Sequence, residues 1–212
     1  DMLTALYLIL SALFVFLVWQ VSKMKRDNYV LLLLLVLAGL FYDTLIIGIG
    51  KFVGEGDLLK TLNAGRFYVH ALLTPTMMIF GFGVLRKAGV KWAQSRTAHI
   101  ILCVITTLLI GLGAYSDILQ LDLQTKVVAD VLRYTNEGGI KGPPLPAILS
   151  IIFLIVAGIS LWRNTGWMWL AIGAVVMFIA AGAGMGDMFY IGNLGEVILG
   201  FANVSTAKKF LS

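Results

Sequence analysis

The chain has 212 residues, of which 59% are hydrophobic and only 13% are charged, and its mean hydropathy is +0.93. Soluble domains of average composition carry about 25% charged residues, so these values exclude an ordinary soluble domain and predict a polytopic membrane protein. The net charge of +5 does not indicate nucleic-acid binding, because the basic residues lie in short loops between apolar segments.

Seven apolar segments have the length of a membrane-spanning helix. Only a short stretch, residues 187–190, separates the last two, so a six-helix bundle remains the alternative. We therefore predict an all-α integral membrane protein, a seven-transmembrane-helix bundle in which residues 1–212 form a single polytopic domain. The segments are 2–22, 29–50, 67–85, 98–115, 146–162, 167–187 and 190–207.

The positions of Lys and Arg predict the orientation of this bundle. If the N-terminus lies outside, ten of the sixteen basic residues fall in short loops on the inner side. The pattern therefore predicts an outer N-terminus and a cytoplasmic C-terminus, in a plasma membrane or bacterial inner membrane. The inner basic residues are Lys23, Lys25, Arg26, Arg86, Lys87, Lys91, Arg96, Arg163, Lys208 and Lys209.

Two outer loops are longer than simple connectors. Residues 51–66 contain glycines and a short amphipathic piece. In residues 116–145, Leu121, Val128 and Val131 can share one helical face with Leu132, which predicts an interfacial helix within an extended outer loop. That loop is either a packed connector or a mobile lid.

Two carboxylic acids, Asp43 and Glu196, lie inside apolar segments. An ionisable group at such a depth costs about 2.5–3.5 kcal/mol on insertion scales, so it usually faces a polar interior and serves a purpose. At the helical rise of about 1.5 Å per residue, both acids fall roughly 10 Å below the outer boundary. A structural ion pair, Asp43 with Arg66 or Glu196 with His70, is the competing interpretation.

Other polar residues share this layer. Arg66, His70 and Thr74 have the i, i+4, i+8 spacing that forms one stripe along a helix, and Pro75 interrupts the same helix. The pattern predicts a pocket in the outer half of the bundle. Further candidates for this pocket are Tyr42, Asp187, Tyr190 and Asn193.

Two carboxyl groups with different neighbours can hold different protonation states at neutral pH, which is the general basis of acid/base catalysis. We expect Asp43 and Glu196 to form this catalytic pair, with His70 orienting or relaying a proton. Arg66 is the expected ligand of an anionic or polar substrate head. Tyr42, Tyr190 and Asn193 are the expected additional donors, and Thr74 and Asp187 are further binding candidates.

The sequence offers no basis for a bound metal or cofactor. Its two histidines, His70 and His99, fall near opposite ends of the bundle and cannot share one metal or haem, and Cys103 adds no useful ligand. No lysine lies at mid-depth in the last helix for a retinal-type Schiff base, and no phosphate-binding glycine motif is present.

Three functional classes remain open. The first is a metal-free acid/base enzyme, a hydrolase, isomerase or cyclase, acting on a lipophilic substrate among membrane lipids. The others are a proton-coupled transporter or ion pathway, and a structural or receptor-like subunit. The layout, with one acid in helix two and another in helix seven, resembles that of small seven-helix membrane terpene cyclases. The resemblance implies a lipid or isoprenoid-like substrate and assigns no residue a role.

Overall fold

The computed structural model describes residues 1–141 and 144–212, and its architecture is predominantly helical. In this part of the chain, five helices are long and apolar enough to cross a membrane, as expected for a multi-pass membrane protein. The helices are α1 (Met2–Ser22), α2 (Asn28–Val53), α3 (Asp57–Leu73), α4 (Met77–Lys87), α5 (Arg96–Ala114), α6 (Leu145–Thr165), α7 (Trp169–Ala183) and α8 (Tyr190–Phe210). Two antiparallel strands, β1 (Leu123–Val128) and β2 (Val131–Asn136), form a hairpin between α5 and α6.

Three of the five candidate spans are single helices: α1, α2 and α6. The other two are combined elements: α3 continues into α4, and α5 continues into the turn that follows it. Helix α7 is apolar but shorter. Short helical turns lie between the longer elements, at Thr74–Thr76, Lys91–Gln94, Tyr115–Leu119 and Gly186–Met188.

Consecutive helices pack side by side. The most extensive contacts join α1 with α2, α7 with α8, and α6 with α7, and α8 also packs against α1. The approach is closest at small residues: a Cβ on Gly48 of α2 would lie 3.2 Å from the Cβ of Tyr7 in α1. The buried core between the helices is apolar and includes Phe14, Leu33, Phe80 and Leu154.

Pro75 divides the third span into two helices. The α-helical pattern stops at Leu73, a tight turn covers Thr74–Thr76, and α4 continues from Met77. Proline has no backbone N–H to donate and its ring crowds the preceding turn, so this interruption was expected from the sequence and is confirmed.

The expected outer loop 51–66 is largely helical instead. α2 continues to Val53 and α3 begins at Asp57, nine residues before Arg66. The reason is tertiary: Leu59 of α3 packs with Ile46, Leu123 and Tyr134 in a second small core beneath the hairpin. Because the hairpin covers one face of this segment, a helix forms where the hydropathy indicated a loop.

The prediction of an interfacial helix within residues 116–145 is wrong. The segment forms the β-hairpin, and Ala129 and Asp130 connect its strands. β-branched residues such as Thr125, Val127 and Val128 favour the extended conformation, and tertiary packing against α2 and α3 completes it. We call the end of the bundle that carries this hairpin the hairpin end, and the opposite end the far end.

The hairpin turn also caps the first helix. The Asp130 carboxylate accepts hydrogen bonds from the backbone N–H groups of Leu3 (3.1 Å) and Thr4 (3.0 Å). The Thr4 hydroxyl in turn donates to the Asp130 carbonyl oxygen at 3.1 Å. The first N–H groups of a helix have no partner within it. Asp130 supplies the side-chain cap of α1 that the Asp1 side chain does not make.

Candidate functional site

Asp43 and Arg66 form a buried ion pair between α2 and α3. The Arg66 Nε donates to Asp43 Oδ1 at 2.8 Å, and only 2% of the Asp43 side chain and 8% of the Arg66 side chain are exposed. His70, one turn further along α3, brings its Nε2 to 3.5 Å from the same carboxylate oxygen. The i, i+4 spacing noted in the sequence thus delivers both basic side chains to one acid.

Asn63 connects this ion pair to the hairpin. Its Oδ1 accepts a hydrogen bond from Arg66 Nη1 at 2.7 Å and another from the backbone N–H of Tyr134 in β2 at 3.2 Å. Its Nδ2 donates to the carbonyl oxygen of Leu59 at 2.8 Å. A buried amide with each polar atom occupied holds its neighbours in one geometry, so Arg66 has little freedom to turn elsewhere.

The second predicted acid belongs to a separate hydrogen-bonded chain. The Tyr7 hydroxyl of α1 donates to Asn193 Oδ1 at 2.7 Å, and Asn193 Nδ2 donates to Glu196 Oε2 at 2.8 Å. Asn193 and Glu196 lie in the first two turns of α8 and are half-buried. This chain therefore links the starts of α1 and α8 at the hairpin end.

The two hydrogen-bonded chains lie near each other. Glu196 lies within electrostatic range of His70, Asp43 and Arg66. Acidic groups from α2 and α8 and basic groups from α3 therefore occupy one region of the bundle. Their immediate partners differ, because Asp43 contacts two basic side chains whereas Glu196 contacts an amide.

The third span packs differently in its two halves. α4 packs against α2, α5, α6 and α8, whereas α3 packs chiefly against α2, α5 and the hairpin. Fewer helices therefore pack around α3 than around α4. His70 reflects this looser packing, because 33% of its side chain is exposed although Asp43 beside it is fully buried.

The other predicted binding residues divide into two groups. The Thr74 hydroxyl lies 3.5 Å from His70 Nδ1 and belongs to the cluster. Tyr42 donates its hydroxyl to the Leu62 carbonyl oxygen at 2.8 Å and packs in the small core beneath the hairpin.

Asp187 and Tyr190 lie apart from the hydrogen-bonded cluster. The Asp187 side chain is 75% exposed and pairs with Lys126 of β1 at 2.9 Å. The Tyr190 ring is half-buried and meets the edge of Phe189, with the ring centroids 6.4 Å apart.

One further cationic residue near the cluster, Arg133, was not anticipated. It extends from β2 over the ring of Phe189, with its guanidinium carbon 3.6 Å from the ring centroid. Phe189 stacks on Tyr7 at 5.7 Å. Burial lowers the pKa of Arg133 to about 10, so this group still carries its charge at neutral pH. Only a correct prediction of strand β2 would have indicated that Arg133 lies over Phe189, because the side chain would point in another direction from a helix.

Two open clefts, each of about 600 Å³, lie beside the bundle. One is at the far end and is bordered by Arg86, Lys87 and His99. The other lies between α3 and the hairpin and is bordered by Tyr68 and Leu121. In residues 1–141 and 144–212, no three His, Cys, Asp or Glu side chains are grouped as a metal site would require.

No family model matches the chain, and no curated protein is significantly similar to it.

Proposed function

We propose that the chain forms a seven-transmembrane bundle with its N-terminus outside and its C-terminus in the cytoplasm of a plasma membrane or bacterial inner membrane. On this proposal α7 and α8 are the sixth and seventh spans, which follow the five helices of clear spanning length. The far end would be cytoplasmic, because Lys87, Arg163, Lys208 and Lys209 lie at the helix termini there.

We propose further that the protein is a membrane-embedded, metal-free acid/base enzyme acting on a lipophilic substrate, a lipid or isoprenoid-like molecule. One observation carries this proposal. Two carboxyl groups from different helices, Asp43 and Glu196, lie within electrostatic range of each other and have unlike partners. Such a pair divides naturally into an ionised base and a protonated acid.

The contacts assign the two roles. Arg66 and His70 both stabilise a negative charge on Asp43, so Asp43 acts as the ionised member. Glu196 receives only a neutral amide hydrogen bond from Asn193, which favours the protonated member in an apolar bundle. Asn193, itself held by Tyr7, orients the Glu196 carboxyl.

His70 is the group of the Asp43 chain that reaches accessible space. Its Nε2 faces Asp43, which leaves Nδ1, beside the Thr74 hydroxyl, to exchange a proton on the substrate side. The arrangement suits proton transfer to and from one lipophilic molecule, as in hydrolysis, isomerisation or proton-initiated cyclisation.

A structural role for the cluster is the second candidate, and the contacts of Arg66 favour it specifically. Asp43, Arg66, Asn63 and the Tyr134 backbone form a continuous chain that ties α2, α3 and the hairpin together. Glu196 is not part of that chain. Substitution of Glu196 therefore separates the two candidates.

The test uses purified protein reconstituted with a total lipid and isoprenoid extract, followed by mass spectrometry of the lipids over time. The enzyme proposal expects a change in lipid species that Glu196→Gln abolishes, while its melting temperature stays that of the wild type. Glu137→Gln, an exposed acid beyond β2, is the matched control and keeps the activity. Identical lipid profiles with wild-type protein and with Glu196→Gln would contradict the proposal.

A further inference from the structure

The Arg133 side chain is half-buried and lacks an anionic partner within residues 1–141 and 144–212. Its Nε is inaccessible to solvent and has no hydrogen-bond acceptor in the part of the chain that the structure describes. None of the ion pairs found among these residues includes Arg133. A partly buried charge is less well solvated than in water and lacks a compensating anion here, so the folded protein gains from an anion that binds there.

The surrounding charges make the binding of an additional anion at Arg133 more favourable. Arg133 lies within electrostatic range of Arg66, a like charge that is already committed to Asp43 and Asn63. Asp187 is also within range, but Lys126 holds its carboxylate at 2.9 Å. The acidic side chains near Arg133 are therefore already paired with other basic residues, and none of them contacts the Arg133 guanidinium.

Arg133 is also held in place. Its guanidinium stacks on Phe189 and that ring stacks on Tyr7, so the cation is fixed above the Tyr7–Asn193–Glu196 chain at the hairpin end. A stacked guanidinium keeps its N–H groups in its own plane, where they match the oxygens of a phosphate in a two-pronged contact. At the edge of a bilayer, lipid head groups are the principal source of such oxygens.

We propose that Arg133 binds the phosphate group of an anionic lipid and so positions the acyl or isoprenoid tail of the substrate beside His70 and Glu196. This inference rests on the proposed function and narrows it to phosphate-bearing lipids. It also moves the head-group role that the sequence suggested for Arg66 to Arg133, since Arg66 is occupied by Asp43 and Asn63.

Binding is measured as the rise in melting temperature of the protein in a neutral maltoside detergent. The probes are phosphatidic acid, diacylglycerol with the same acyl chains, and inorganic phosphate. We expect a saturable rise with phosphatidic acid and none with the other two. Arg133→Gln should weaken the apparent affinity for phosphatidic acid by about tenfold or more, the loss expected for one charge-assisted contact.

Lys60→Gln is the matched control, because it removes an equal charge from an exposed position near the start of α3 and should keep wild-type affinity. Unchanged affinity in Arg133→Gln, or an equal weakening in Lys60→Gln, would overturn the assignment. An equal rise with inorganic phosphate or with diacylglycerol would overturn the need for a phosphate-bearing lipid.

Arg133→Lys serves if Arg133→Gln does not fold, because it keeps the charge and loses only the two-pronged geometry. Weaker binding of phosphatidic acid by Arg133→Lys supports the proposal, and unchanged affinity overturns it. Glu196→Gln separates this inference from the proposed function. That variant should bind phosphatidic acid like the wild type, so a failure of lipid turnover leaves the binding result standing.

Discussion

The Asp43 carboxylate and the Arg66 guanidinium meet at 2.8 Å where neither side chain is more than 8% exposed. Each of these charged groups loses its solvation by water when it is buried. The two are stable at this site only as a pair, because the attraction between them compensates for that loss. The pair therefore has a structural consequence whatever chemistry it supports, and single substitutions at either residue test folding and function at once.

Removing the Asp43 charge alone should destabilise the protein. Asp43→Asn leaves Arg66 buried without its anion, and we expect a loss of about 3–5 kcal/mol in the free energy of unfolding. The double variant Asp43→Leu/Arg66→Met removes both charges and should be close to the wild type or more stable. Chemical denaturation in detergent measures both, and a double variant as unstable as Asp43→Asn would contradict this account of the pair.

The Tyr7 hydroxyl should contribute through its bond to Asn193. Tyr7 is completely buried, so Tyr7→Phe leaves the Asn193 amide oxygen without its donor and should cost about 1–3 kcal/mol of stability. Tyr68→Phe is the control, because Tyr68 is 40% exposed and its hydroxyl can find water. Equal melting temperatures for the two variants would show that the Tyr7–Asn193 bond adds nothing.

Gly50 should be required for the hairpin to lie against α2. A Cβ on Gly50 would overlap the carbonyl oxygen of Leu132 in β2. We expect Gly50→Ala to lose about 1–3 kcal/mol through this overlap and to increase hydrogen exchange in the hairpin. Gly111→Ala in α5, where nothing lies within 4 Å of the new Cβ, should be neutral or gain up to about 1 kcal/mol. Wild-type exchange in Gly50→Ala would contradict the prediction.

Asp130 should make stability depend on pH. Partial burial works to raise the pKa of Asp130, but hydrogen bonds from Thr4 and Leu3 outweigh it and hold that pKa well below its ordinary value of 3.8. A depressed pKa in the folded state means that the stabilisation is complete above the ordinary value and is lost as the pH falls below it.

The melting temperature should therefore fall between about pH 5 and the acid limit in the wild type and fall less in Asp130→Asn. Asparagine can still cap α1 but does not titrate. Asp122→Asn, elsewhere in the hairpin segment, should retain the wild-type profile. A profile in Asp130→Asn that matches the wild type would rule out this origin of the pH dependence.

Part of the cluster was predictable because helical geometry is regular. The spacing of Arg66, His70 and Thr74 was enough to place them on one stripe, and the depth of Asp43 in the neighbouring span matched theirs. The interruption at Pro75 followed from the chemistry of proline. Periodicity and depth thus anticipated the contact of Asp43 with Arg66. The sequence suggested Glu196 as the partner of His70, whereas His70 contacts Asp43 in the structure.

The hairpin end was not predictable in the same way. Residues 121–132 carry apolar side chains that fit either a helical face or a strand pair. Packing against Leu59 and Ile46 stabilises the strand pair. With the hairpin misassigned, the reach of Arg133 over Phe189 and the contact of Asn63 with Tyr134 had no sequence signal. Both are contacts between elements that lie far apart along the chain.

The division of Asp43 and Glu196 into ionised and protonated members is the central claim, and infrared difference spectroscopy tests it most directly. At neutral pH the wild type should show the carbonyl stretch of a protonated carboxyl group that disappears in Glu196→Gln and persists in Asp43→Leu/Arg66→Met. The absence of this band from the wild type, or its persistence in Glu196→Gln, would contradict the account.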